Sequence, residues 1–61
     1  MNKIRDIRRS KYLTLQQVSN ITKLSVSTIS AAERGISNPT IKTLTLISKV
    51  LNVSIQELLD K

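Results

Sequence analysis

The sequence predicts an all-α protein, a single compact domain of five short helices spanning residues 1–61. Three observations carry that expectation. Apolar residues recur at steps of three and four, and no alternating strand pattern competes with them. Hydroxyl residues stand where helices should start, at Thr14, Ser25, Thr40 and Ser54. Gly35 and Asn52, which tolerate left-handed backbone, stand where two of those helices should stop.

The first helix is expected from about Asn2 to Lys11, with Ile4 and Ile7 three apart on one face. Arg8 shares that face, an odd place for a solvent-facing charge. Thr14 and Gln17 form a capping box for the second helix, and Leu15, Val18 and Ile21 follow at helical spacing. Ser25 caps the third, whose apolar stripe is thin (Ile29 with Ala32) and which stops at Gly35. Ile36, Ser37, Asn38 and Pro39 form a loop, because the residue before a proline is pushed out of helical geometry. Thr40 caps the fourth helix, whose main stripe is Ile41, Leu44, Ile47 with Ser48, and Leu51; Asn52 stops it. Ser54 and Glu57 make a second capping box, opening a last helix with Ile55, Leu58 and Leu59 facing inward or a partner. Leu46 and Val50 lie off the main stripe, one turn apart. Either the bundle buries the fourth helix on two sides, or an exposed apolar patch continues into Val53 and Leu59 and marks a dimer interface.

Composition narrows the function. A chain of 61 residues buries only about 60% of the surface its unfolded form exposes. Having neither Cys nor His, it lacks disulfides and histidine-ligated zinc as supports, so helix packing or a partner copy must supply the stability. Tyr12 is the only aromatic residue, which removes the stacking surfaces of single-strand binders. No run of about 18 apolar residues exists and the amino terminus lacks a signal-peptide core, so a cytoplasmic protein is expected. The basic first helix has too narrow an apolar face to lie on a membrane. An enzyme would need a nucleophile, base or metal site; no His, no Cys and only four carboxylates leave no such constellation, and no cofactor is implied.

The net charge is +6, with Lys3, Arg5, Arg8, Arg9 and Lys11 crowding the start against Asp6, and Glu57 and Asp60 at the other end. That asymmetry suits a polyanion near the first helix or a merely solvated face. The stretch from Leu13 to Gly35 tips the choice. It reads as two short helices joined by a tight turn, the form in which small proteins carry one helix into the major groove of DNA.

From Ile4 to Leu59 the chain resembles the helix-turn-helix domain of phage repressors and Cro proteins, the xenobiotic-response-element family. The landmarks run in order: Ile4, Ile7 and Arg8; Leu13 and Thr14; Ser25, Thr28, Ile29 and Ser30; Glu33, Arg34 and Gly35; Asn38 and Pro39; Leu44 and Leu51; then Val53, Ser54, Glu57, Leu58 and Leu59. The resemblance implies a five-helix, lambda-repressor-like helix-turn-helix fold in a bacterial or phage-encoded regulator. It implies that the third helix reads bases through Val26, Ser27, Ser30 and Ala31. Phosphates would meet Thr14, Ser25 and Thr28 on one side, and Asn38, Thr40, Lys42 and Thr43 on the other. It also implies a structural ion pair between Arg8 and Glu33, and dimerisation through the last helices at Leu46, Val50, Val53 and Leu59.

Four positions depart from the family. Leu15 stands where a glutamine often helps to clamp a phosphate, leaving Gln16 or Gln17 as substitutes. Lys23 replaces the glycine of the turn, which implies a lysine at positive φ with its ammonium near the DNA backbone. Tyr12 replaces a common glycine after the first helix, and Ala32 a larger apolar residue. None of the four base-reading candidates offers the two-pronged fork that Arg, Gln or Asn presents to a purine. The resemblance therefore implies a double-stranded-DNA-binding transcriptional regulator, a homodimeric repressor, with modest direct readout and a larger share from phosphates and DNA shape. The alternative is a protein-interaction module of the same fold, of antitoxin or anti-repressor type, which would show no salt-dependent duplex binding. No small-molecule site is evident, and control by the protein's own concentration is the simplest expectation.

Overall fold

Cap chemistry sets the helix boundaries in the computed structural model, which describes residues 2–36 and 38–59. Five helices occur among these residues, and no strand: α1 (Ile4–Ser10), α2 (Leu15–Thr22), α3 (Val26–Arg34), α4 (Ile41–Leu51) and α5 (Ile55–Leu59). Ser37 of the expected loop and Asp60 of the acidic end lie outside the described residues. Thr14, Ser25 and Thr40 sit in extended backbone, and each accepts a hydrogen bond from the N–H three residues on, at Gln17, Thr28 and Thr43. Gln17 Oε1 accepts in return from the Thr14 N–H at 2.8 Å. At α5, Ser54 Oγ accepts from the Glu57 N–H at 3.1 Å, and Glu57 Oε1 accepts from the Ser54 N–H at 3.4 Å. Each cap contributes about 1 kcal/mol.

The first helix is shorter than its expected span of Asn2 to Lys11, and Lys3 provides no side-chain cap. Asn2 supplies it from one residue earlier. Its Oδ1 accepts from the Ile4 N–H at 3.1 Å, while its Nδ2 donates to the Ala32 carbonyl at 2.8 Å. The Lys3 N–H donates to the Leu58 carbonyl at 2.9 Å. The start of α1 is thereby tied to the ends of α3 and α5.

Three helices end alike. Past α1, α3 and α4, left-handed residues (Tyr12 at φ 59°, Gly35 at 70°, Asn52 at 58°) turn the chain. The following N–H then reaches back five residues, from Leu13 to the Arg8 carbonyl, Ile36 to Ala31 and Val53 to Ser48. The turn after α2 uses Lys23 at φ 65°, whose N–H donates to the Ser19 carbonyl at 2.8 Å. A Cβ on Gly35 would meet nothing within 4 Å, so its φ, not crowding, favours glycine. Tyr12 and Lys23 adopt the same geometry at a cost of about 1–2 kcal/mol each.

The core is Ile4, Val18, Ile29, Ala32, Leu44, Ile47, Leu51 and Leu58, with Ile7, Leu13, Leu24, Val50, Val53 and Ile55 packed partly buried against part of it. α2 packs on α3 and α4, α5 on α4, and α1 on α3 and α5. The radius of gyration is 9.9 Å; about 10.5 Å is typical for this length. Two stripe positions are corrected. Ile21 is exposed, because the face carrying Val18 continues through Thr22, whose Oγ1 donates to the Val18 carbonyl at 2.7 Å. Ile41 is exposed with its neighbours Thr40 and Lys42, because the first turn of α4 turns Thr43 and Leu44 inward instead. Among the described residues, no helix is long and apolar enough to cross a membrane.

Candidate nucleic-acid interface

Arg8 ties α1 to the end of α3. From α1, its Nε donates to Glu33 Oε2 at 2.6 Å and its Nη2 to Glu33 Oε1 at 3.2 Å, a two-pronged pair with the end of α3. Its Nη1 donates to the Leu13 carbonyl at 2.7 Å, just before α2. The two side chains are 11% and 4% exposed. One buried guanidinium thus joins three elements, and Arg8 is spent on structure rather than on a ligand.

The α2–α3 turn is held by two hydroxyls to which sequence reasoning gave no role. Ser19 Oγ donates to the Leu24 carbonyl at 2.6 Å, and Thr22 Oγ1 accepts from the Leu24 N–H at 3.2 Å. The only available signal was a threonine one turn after Val18, on the buried face. With Lys23 left-handed between them, these bonds fix where α3 starts relative to α2. Ser25 then caps α3, its Oγ also 2.8 Å from Thr28 Oγ1.

The candidate residues fall into three groups. Ser27 is exposed, and Val26, Ser30 and Ala31 are half-buried, so α3 presents small side chains over a shallow surface. Around the amino-terminal ends of α2 and α3, Thr14, Gln16, Gln17, Lys23, Ser25 and Thr28 are exposed. Gln17 uses its carbonyl oxygen in the capping box, and Gln16 Nε2 donates to Asn20 Oδ1 at 3.0 Å. Leu15 is half-buried and its side chain offers no donor. Thr14, Gln16 and Val26 share an open groove with Arg9 and Tyr12, while Lys23 and Ser25 share the next one with Ser19 and Asn20. In the third group, Asn38, Thr40 and Lys42 are exposed in the loop and first turn of α4, in neither groove. Thr43, in contrast, is buried, and its Oγ1 accepts from Thr40 Oγ1 at 3.1 Å.

Of the residues assigned to a dimer contact, Val50 and Val53 lean on the chain's own core and are half-buried. Leu46 is also half-buried, and Leu59 is 47% exposed.

Two capped helices at a hydrogen-bonded turn, in a chain of charge +6, define a helix-turn-helix domain of the kind that binds DNA. The chain belongs to the Cro/C1-type helix-turn-helix family, whose model matches residues 4–58. It is similar to the HTH-type transcriptional regulator DdrOP3 of Deinococcus deserti, 28% identical over 58 residues that make up 95% of this chain and 45% of that protein. The chain spans about half the length of the curated relative it matches. No solved structure matches it significantly.

Proposed function

We propose that this chain is a sequence-specific, double-stranded-DNA-binding transcriptional regulator, a repressor that works as a homodimer and inserts α3 into the major groove. It would act as one domain in the cytoplasm of a bacterium, encoded there or by a phage. The observation that carries the reading is the rigid mounting of α3. The Arg8–Glu33 pair holds its end, and the Ser19, Thr22 and Ser25 hydroxyls hold its start. That mounting leaves Ser27 exposed in the first turn of α3.

The readers Val26, Ser27, Ser30 and Ala31 would touch thymine methyls and accept or donate single hydrogen bonds. Thr14, Gln16, Gln17, Lys23, Ser25 and Thr28 would hold one strand's phosphates, and Asn38, Thr40 and Lys42 the other's, with helix dipoles favouring the anion. Leu46, Val50, Val53 and Leu59 would form the contact between copies, placing two α3 helices about 34 Å apart on one face of the duplex. The relative's description as a transcriptional regulator supports the same role. The test is a salt titration of duplex binding by the chain. Affinity falling steeply with salt supports the proposal, and an absence of duplex binding favours the interaction-module alternative.

A further inference from the structure

Tyr12, the chain's sole aromatic, is 92% exposed and sits at φ 59°, a geometry that glycine adopts without strain. The fold makes no use of its ring. Beside it, Arg9 is exposed, and no carboxylate of the described residues lies within 4 Å of it. Both side chains line the groove that continues into Thr14 and Gln16 at the start of α2 and Val26 at the start of α3. Leu15, which also lines that groove, has an apolar side chain. On the far side of Arg9 the neighbouring groove holds Arg5 and Arg34 together with Asp6 and Glu33.

We propose that Arg9 and Tyr12 together bind a DNA backbone phosphate flanking the segment read by α3, extending the interface onto the end of α1. The inference rests on the duplex-binding reading above. An arginine fork beside a phenol suits one phosphodiester: the guanidinium donates two charge-assisted bonds to its oxygens and the Tyr12 hydroxyl donates a third. The contact is blind to sequence and adds one neutralised phosphate to the footprint.

The experiment compares the parent chain with Arg9→Gln, Tyr12→Phe and Tyr12→Gly on a selected duplex and on an unrelated duplex of equal length, across a salt series. Arg9→Gln weakens both duplexes by roughly tenfold and flattens the slope of log affinity against log salt by about 0.9. Tyr12→Phe weakens both by roughly fivefold and leaves the slope alone. Tyr12→Gly weakens binding while raising the melting temperature, because the strain goes with the side chain. A parent that binds duplex DNA, with all three variants at parental affinity and slope, overturns this inference and leaves the proposed function standing. A parent that binds no duplex overturns both.

Discussion

Arg8 and Glu33, 25 positions apart in the chain, are locked by two hydrogen bonds of 2.6 and 3.2 Å, with both side chains almost wholly out of water. The pair fixes the angle between α1 and α3. Breaking it from one side strands a buried charge, whereas replacing both partners does not. Glu33→Ala is expected to cost about 3–5 kcal/mol, and the double variant Arg8→Met with Glu33→Leu to recover most of it. Denaturant unfolding measures both. A single-variant cost under about 1 kcal/mol contradicts the assigned role.

Lys23 trades stability against charge at the turn. Lys23→Gly is expected to raise stability by up to about 1 kcal/mol by removing left-handed strain. If its ammonium meets a phosphate, the same change lowers the salt slope of duplex binding by about 0.9. Thermal melts and binding isotherms check the two halves separately.

Ser27 and Lys42 separate base reading from phosphate binding. Ser27→Ala is expected to cost about 1–3 kcal/mol at one base position and little on random duplex. Lys42→Ala weakens every sequence alike and flattens the salt dependence. An equal loss on specific and random DNA for Ser27→Ala removes it from the readers.

Leu59 tests the proposed contact between copies without disturbing the core. Because it is 47% exposed, Leu59→Glu leaves the monomer fold intact. Sedimentation at micromolar concentration is expected to show a dimer for the parent and a monomer for the variant. A parent that stays monomeric with and without DNA rules the interface out.

The helices were legible because their punctuation is local. Thr14, Ser25, Thr40 and Ser54 name their own starts through bonds only three residues long, and Gly35 and Asn52 name their ends. What escaped depends on distant partners or on the rotation of a face. Asn2 caps α1 and reaches Ala32, 30 positions away, which no local pattern announces. Thr22 takes the buried place that spacing alone assigned to Ile21, because a threonine can satisfy its hydroxyl on its own helix. The burial of Thr43 and its bond from Thr40 were likewise not announced by its place in the first turn of α4. The groove containing Arg9 and Tyr12 required the end of α1 and the starts of α2 and α3 to be seen side by side.

Selection of bound duplexes from a random pool tests most directly the claim that α3 reads DNA. The expected result is an enriched site with two related half-sites about 10 base pairs apart, centre to centre, whose enrichment at one or more positions is lost with Ser27→Ala. A pool that remains random after repeated selection, or one enriched identically by the parent and Ser27→Ala, contradicts it.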